Sequence, residues 1–256
     1  MTALARGLDV INSFSSASPE MTLSDIAQRT GLNAATVRRS LITLEHLGYV
    51  RRQAKSFLLT PKVLSLGASY FESMNLKEVA QPQLAALVEK FHDASSLTVL
   101  DDFEVVYVAH VASDQRVPRG RNVGTRLPAH ATSTGLVLLA NSSAEHQEKL
   151  FAKELPAYTS RTPVKASELK TILVNARKFG YVLARDTLDY GNIALAVPVR
   201  NKSGRVVAAL NCATRTEAVD EADMIKTRLP ALQDMARGIG EMLDRYPALA
   251  HSVPEF

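Results

Sequence analysis

The sequence predicts an α+β protein that begins with a winged helix-turn-helix and continues into a C-terminal α/β domain with a mainly antiparallel sheet. Three observations predict this fold. Residues 22–60 carry two short helical patterns followed by two short strand patterns. From about residue 77, period-2 strands joined by short turns alternate with helical segments. The excess positive charge lies within residues 1–62. The predicted domains are a winged helix over 1–60, a linker helix over 61–76 and the C-terminal domain over 77–256.

Two consecutive helices are predicted in the first domain. Thr22 and Asp25 have capping-box spacing, with an N-cap hydroxyl and a carboxylate three residues later, and Gly31 ends the helix that they open. Asn33 can cap a second helix, which Gly48 stops. Four apolar residues of this second helix are predicted to share its buried face: Val37, Leu41, Leu44 and Leu47.

The other face of the second helix suits the major groove of DNA. Short side chains allow close approach, and arginines and hydroxyls supply donors for guanine edges and phosphates. The predicted contacts on this helix are Ala35, Thr36, Arg38, Arg39, Ser40 and Thr43. Residues 49–52 and 56–59 are predicted to form a hairpin wing, with basic side chains on one strand and at the tip: Arg51, Arg52 and Lys55.

The charge distribution favours nucleic-acid binding over a purely structural role for this domain. Residues 1–62 contain eight Lys or Arg and four Asp or Glu, so the whole formal charge of +4 lies there. The remaining 22 basic and 22 acidic residues cancel. A basic head on a neutral body is typical of nucleic-acid binding, with an affinity that falls as salt rises.

The linker helix is predicted to carry an apolar stripe at helical spacing, formed by Val63, Leu64, Gly67, Tyr70, Phe71 and Met74. This stripe either packs on the chain's own body or pairs with the same helix of a second subunit. Pairing predicts a homodimer or a dimer of dimers and sets the distance between two recognition helices. The first helix, over residues 4–14, is expected to join the same interface.

Composition limits the class of protein further. No segment has the roughly 18 unbroken apolar residues of a membrane span, and the N-terminus lacks the layout of a signal peptide. A single cysteine, Cys212, rules out an internal disulfide. We therefore expect a cytoplasmic protein with no membrane partner.

The C-terminal domain is predicted to alternate helices with strands. The helices are expected over 77–92, 136–140, 144–154, 167–179 and 220–245. The strands are expected over 96–101, 104–110, 181–185, 192–200 and 205–214. A loop rich in Pro, Arg and Gly is predicted over 113–124.

An enzyme is the rival class, and the sequence offers little support for it. The six histidines are scattered, and none stands in a paired metal-ligand spacing. Cys212 can act as a nucleophile only beside a base, and in an apolar strand it is more often a small core residue. A cysteine-dependent enzyme on this body is therefore a remote alternative. No catalytic residue, metal site or cofactor is predicted.

Six segments of the chain resemble the IclR family of bacterial transcription regulators: residues 6–11, 44–50, 127–135, 180–181, 194–199 and 204–211. The resemblance implies a ligand-responsive regulator that binds double-stranded operator DNA and whose C-terminal effector-binding domain has GAF-like topology. Residues 126–135 and 196–211 are most similar to the branch that regulates protocatechuate and 4-hydroxybenzoate breakdown, in the β-ketoadipate pathway of aromatic-acid catabolism.

The resemblance also implies a ligand pocket between the segment that begins at Leu127 and the strands of the sheet, with Leu127 itself among the ligand-binding residues. Ser133 and Thr134 lie at the start of a helix, where free N–H groups suit a carboxylate, and they match family positions that hold a small acid. On the strands, the resemblance places Ala194, Asn211 and Ala213 at the pocket.

Three further residues bear on the identity of the ligand. Asn211 is expected to hydrogen-bond a ring hydroxyl, and Arg126 either supplies a cation or stays solvated or supports the loop. Ala184 stands where members that bind smaller acids have an acidic residue, which leaves apolar room for an aromatic ring. The expected effector is a small aromatic carboxylate such as 4-hydroxybenzoate or protocatechuate. The alternative is a non-aromatic acid of the glyoxylate, pyruvate or β-ketoadipate type.

Overall fold

The computed structural model describes residues 2–15, 17–68, 79–112 and 121–243. The chain divides into two compact units, Met1–Tyr70 and Phe71–Phe256. In the part of the chain that is described, no helix is long and apolar enough to cross a membrane. The finer domain boundaries expected at residues 60 and 76 stay predictions.

The first unit has the predicted winged helix-turn-helix. Its elements are α1 (Ala3–Asn12), β1 (Glu20–Thr22), α2 (Leu23–Thr30), α3 (Ala34–His46), β2 (Val50–Gln53) and β3 (Ser56–Leu59). The three strands form an antiparallel sheet in the order β1-β3-β2. Strand β1 was not predicted, because three residues are too few to show a strand period.

The predicted capping residues determine where α2 and α3 begin and end. The Thr22 hydroxyl accepts a hydrogen bond from the Asp25 N–H at 3.3 Å, and the Asp25 carboxylate accepts one from the Thr22 N–H at 2.9 Å. Gly31 ends α2 with a left-handed φ of 68°. The Asn33 side chain accepts from the Thr36 N–H at 2.9 Å. These bonds use N–H groups that a helix leaves without a partner at its first turn.

The buried face of α3 is shorter than predicted. Val37, Leu41 and Leu44 are buried, in one core with Val10 and Ile26. Leu47 was expected on the same face, but its side chain is 47% exposed, so that prediction is wrong. At about 100° per residue, Leu47 lies roughly 80° around the helix from Val37.

The linker is described only at its start. Pro61–Leu64 form a 3₁₀ helix, and residues 65–68 are helical. Val63 packs against the core of the first unit, whereas Leu64 is 78% exposed. The stripe residues Tyr70, Phe71 and Met74 lie outside the described residues.

The second unit is built on a six-stranded sheet in the order β6-β5-β4-β9-β8-β7. Each pair of neighbouring strands in it is antiparallel. The elements are α4 (Gln81–Phe91), β4 (Ala94–Asp101), β5 (Glu104–Val111), β6 (Arg126–Pro128), α5 (Ser133–Ala140), α6 (Ala144–Phe151), α7 (Ala166–Phe179), β7 (Val182–Arg185), β8 (Asn192–Arg200), β9 (Val206–Arg215) and α8 (Glu221–Leu243). The predicted antiparallel sheet with flanking helices is confirmed, and the three-residue strand β6 is an addition to it.

Helices cover the sheet on both faces. Ala196 and Ala209 face a core that includes Leu139 of α5 and Leu173 of α7. On the opposite face α4 and α8 pack together, and Arg228 of α8 forms an ion pair with Asp93 at 3.0 Å. Because side chains alternate along a strand, neighbouring residues of β9 face different layers.

Candidate DNA-binding surface and ligand pocket

The solvent side of α3 carries most of the predicted DNA contacts. Ala35, Arg38, Arg39 and Thr43 are exposed, and Ser40 is half-buried. Within the described residues, no carboxylate pairs with either arginine, and Arg39 also lines a groove between α1 and α3. The helix therefore presents two cations next to a small residue, an arrangement that suits phosphates and guanine edges.

The prediction that Thr36 belongs to this exposed face is wrong. Thr36 is only 6% exposed and lines a groove between α1 and α3. Arg39, Ser40 and Thr43 line the same groove, but they keep more of their surface in solvent than Thr36 does.

The sequence reasoning missed Ile42, which is 60% exposed on α3. Ile42 follows Arg38 by four residues and Arg39 by three, so all three side chains lie on one surface. It also falls outside the buried stripe of α3, and this departure from the helical period was the signal that could have identified it.

The wing supplies the remaining predicted cations. Arg51 and Arg52 are exposed on β2, and Lys55 is exposed in the turn. Arg52 also braces that turn, because its Nε donates to the carbonyl of Ala54 at 3.0 Å. Ala54 has a φ of 52°, which the tight connection between β2 and β3 requires.

The second unit contains a small cavity between the start of α5 and the strands of the sheet. Its walls come from Tyr107, Arg121, Ala131, Thr132, Ser133, Thr134, Ala184, Thr187, Leu188, Asn192, Ala194 and Asn211. The structure thus brings together five of the predicted ligand residues: Ser133, Thr134, Ala184, Ala194 and Asn211.

Three predicted ligand residues do not line the cavity. Arg126 is 45% exposed and pairs with Asp101 at 2.7 Å and Glu104 at 2.8 Å, so it is not the pocket cation. Leu127 packs against the hydrophobic core instead. Both belong to β6, which pairs with β5 at the edge of the sheet. Ala213 lies opposite Ala194 in the register, on the same sheet face but away from the cavity wall.

The start of α5 is held in place by its neighbours. The Thr132 hydroxyl accepts from the Gly135 N–H at 3.2 Å and caps the helix. The N–H groups of Ser133 and Thr134 belong to the first turn of α5, and both residues are buried beside the cavity, where the helix dipole also favours an anion. A Cβ on Gly135 would lie 2.2 Å from the carbonyl oxygen of Ala129, so glycine alone permits this close approach.

Two carboxamides face the cavity from the sheet. The Asn211 Oδ1 accepts from the Ser96 N–H at 3.1 Å, so its NH₂ end is the one that a ligand can use. Asn192 was not predicted, and its buried Oδ1 has no hydrogen-bond partner within the described residues. A buried polar atom without a partner is costly, and a ligand hydroxyl can satisfy it.

Arg121 brings a positive charge to the cavity wall. Its side chain is 12% exposed, and its guanidinium lies 2.7 Å from the Asp189 carboxylate. Burial raises the pKa of the Tyr107 hydroxyl, and the charge of Arg121 acts in the opposite direction. Burial and then the same charge lower the pKa of the His110 imidazole. Arg121 belongs to the arginine-rich loop predicted over 113–124. A loop has no helical or strand periodicity, so the sequence does not show which of its arginines faces the cavity.

Cys212 lies on the other side of the sheet from the cavity, because it alternates with Asn211 along β9. It is fully buried, and burial raises the pKa of its thiol, with the Asp93 carboxylate adding to the effect. A thiol in this setting stays protonated, so the structure gives no support to its use as a nucleophile.

Two protein-family models match this chain, one in each unit. A family model described as "Bacterial transcriptional regulator IclR C-terminal" matches residues 68–241, and one described as "IclR helix-turn-helix domain" matches residues 3–54. The chain is 36% identical over 245 residues to the Pca regulon regulatory protein of Pseudomonas putida, covering 95% of this chain and 84% of that protein.

Two further matches concern aromatic acids. The chain is 36% identical over 252 residues to the p-hydroxybenzoate hydroxylase transcriptional activator of Acinetobacter baylyi, covering 95% of this chain and 92% of that protein. It also matches the crystal structure of an IclR homolog from Microbacterium hydrocarbonoxydans complexed with 4-hydroxybenzoate. That match has a TM-score of 0.82 and 28% identity, and it covers 95% of this chain and 99% of the other.

Proposed function

The chain belongs to the IclR family of bacterial transcriptional regulators, and we propose that it controls an aromatic-acid catabolic operon in response to a small aromatic carboxylate. The observation that carries this proposal is the cavity beside α5, which combines anion-binding N–H groups, apolar walls and carboxamides. Relatives named for the Pca regulon and for p-hydroxybenzoate hydroxylase support the aromatic class. We assign no catalytic step to the protein.

On the DNA side, α3 enters the major groove and the wing contacts phosphates or the minor groove. Arg38 and Arg39 are the α3 residues that we expect to contact base edges or phosphates. Lys55, at the tip of the wing, is placed for a sequence-independent contact that weakens with salt.

On the ligand side, the carboxylate of 4-hydroxybenzoate or protocatechuate binds the N–H groups of Ser133 and Thr134. The ring lies against the alanines of the sheet, Ala184 and Ala194, because neither side chain competes for space or adds charge. The ring hydroxyl lies next to Asn211 and accepts a hydrogen bond from its amide NH₂.

We also propose that the regulator acts as a homodimer or a dimer of dimers. The groove between α1 and α3 has a volume of about 620 Å³, and the exposed apolar side chains of Leu4, Leu8, Leu47 and Leu66 line it together with Arg39, Ser40 and Thr43 of α3. Apolar patches of this kind in a DNA-binding unit favour pairing with a second copy, which places two recognition helices on neighbouring half-sites.

A thermal-shift panel of small acids tests the proposed function. A ligand at 100 times its Kd stabilises the native state by about 2.7 kcal/mol, or roughly 5–10 °C for a domain of this size. We expect shifts of this order with 4-hydroxybenzoate or protocatechuate, and none with glyoxylate or pyruvate. A shift with β-ketoadipate or glyoxylate and no response to any benzoate would place the protein in the non-aromatic class.

A further inference from the structure

The cavity is too small for an aromatic ring as its side chains stand. Its volume is about 20 Å³, which is room for one water molecule. A protein cavity that binds benzene measures about 150 Å³. Binding of an aromatic effector therefore requires one wall of the cavity to move.

The sheet and α5 are the fixed walls. Asn211 and Ala194 lie in strands that are hydrogen-bonded on both sides. The first turn of α5 is packed against the backbone of Ala129 through Gly135. The remaining wall contains Arg121, whose ion pair with Asp189 reaches across to the turn between β7 and β8.

The charges of the wall point to Arg121 as a ligand-binding group. Among the residues that line the cavity in the described part of the chain, Arg121 alone carries a formal charge. Moving a carboxylate out of water is costly unless a cation compensates it. The planar guanidinium matches a carboxylate with two parallel hydrogen bonds, so it can bind one edge of the anion while the α5 N–H groups bind another lone pair.

We propose that Arg121 binds the carboxylate of the effector. When the effector enters, its carboxylate replaces that of Asp189 as the ion-pair partner of Arg121. This inference rests on the proposed function, because it needs an acid in this cavity. Asp189 is 55% exposed, so water screens its attraction to Arg121. A ligand carboxylate inside the cavity is screened less and replaces it.

Calorimetry on the full chain with 4-hydroxybenzoate and its neutral analogue 4-hydroxybenzamide tests the exchange. We expect Arg121→Gln to weaken binding of the acid roughly 10- to 100-fold, the effect of losing a hydrogen bond to a charged group, and to change binding of the amide far less. Arg121→Lys keeps the charge and is expected to recover part of the loss.

The variant Asp189→Asn shows whether Asp189 competes with the ligand for Arg121 or holds Arg121 in position. If Asp189 competes with the ligand, its neutralisation raises the affinity for the acid, by roughly 2- to 5-fold for a screened ion pair. The matched control is Arg126→Gln, since Arg126 pairs with two carboxylates away from the cavity and its loss is expected to leave the affinity unchanged. Melting temperatures of all variants confirm that they are folded.

Four results would overturn the inference. Unchanged acid affinity in folded Arg121→Gln removes Arg121 from the site, as does an equal loss for acid and amide. A weaker acid affinity in Asp189→Asn means that Asp189 positions Arg121 and does not compete. Failure of the wild-type protein to bind any benzoate overturns the proposed function itself, and this inference with it.

Discussion

At the scale of single residues, Asn211 is the sheet residue that is expected to hydrogen-bond the proposed ligand. We expect Asn211→Ala to weaken 4-hydroxybenzoate binding by about 1–2 kcal/mol, because a neutral hydrogen bond to the ring hydroxyl is lost. The loss against benzoate is expected to be smaller, since benzoate has no hydroxyl. Calorimetry with both acids on wild type and variant measures the difference.

Comparing the two acids controls for the structural role of Asn211. Its Oδ1 also accepts from the Ser96 N–H, so the substitution leaves that group without a partner whichever ligand is present. This cost cancels in the difference between the acids. Equal losses for both would show that Asn211 supports the sheet and does not read the hydroxyl.

Ile42 is a second residue with a specific expected role. The thymine methyl is the main apolar group that the major groove offers, and Ile42 is an exposed apolar side chain beside Arg38 and Arg39. We expect Ile42→Ala to weaken operator binding by about 1 kcal/mol. Uracil in place of one particular thymine of a selected operator is expected to weaken the wild type similarly and to leave the variant unaffected.

Val174 provides a matched control for Ile42. It is an apolar residue of α7 with a similar exposure, 66%, in the other unit, and Val174→Ala is expected to leave DNA affinity unchanged. If wild type and Ile42→Ala respond identically to every uracil substitution, Ile42 does not contact a thymine methyl.

At the scale of elements, two glycines of α8 differ in their surroundings. A Cβ on Gly240 would lie 2.0 Å from the carbonyl oxygen of Arg200, whereas one on Gly238 meets nothing within 4 Å. Gly240→Ala therefore forces α8 away from β8, and we expect a loss of about 1–3 kcal/mol in the free energy of unfolding. Gly238→Ala is expected to stabilise the helix by up to about 1 kcal/mol.

Denaturant titration of both alanine variants checks this contrast. The two substitutions are identical in chemistry and lie two residues apart in one helix, so helix propensity cancels between them. A stabilised Gly240→Ala variant would mean that α8 does not rest directly on the β8 backbone.

At the scale of the whole molecule, the charge and the apolar groove both belong to the DNA-binding unit. We expect light scattering to find at least two copies of the wild-type chain per particle. Leu8→Glu places a charge in the groove beside Ile11 and Leu47, so it is expected to shift the protein towards monomers and to weaken operator binding.

Ile42→Glu is the matched control for the assembly test. Ile42 is also an exposed apolar residue of the same unit, but it does not line the groove. Its replacement is expected to abolish DNA binding without changing the particle mass. A monomeric wild type, or a Leu8→Glu variant with wild-type mass, would contradict pairing through this groove.

Most helices and strands, and the exposure of most residues predicted to contact DNA, followed from the sequence alone. The capping residues Thr22 and Asn33 and the stop at Gly31 act on groups within four positions of themselves, so a local pattern is sufficient to predict them. Local patterns failed where α3 meets another element. Thr36 is buried because α1 lies beside it, and no property of the helix itself shows this.

Five residues of the candidate ligand pocket were predicted, but only the tertiary structure showed which arginine lines it. Arg121 and Arg126 lie five positions apart, yet one faces the cavity and the other faces Asp101 and Glu104. Their partners come from distant strands and turns, as Asn211 shows by bonding to Ser96 across 115 positions of chain. A cavity wall is set by how such segments pack, and helical or strand periodicity carries no information about that packing.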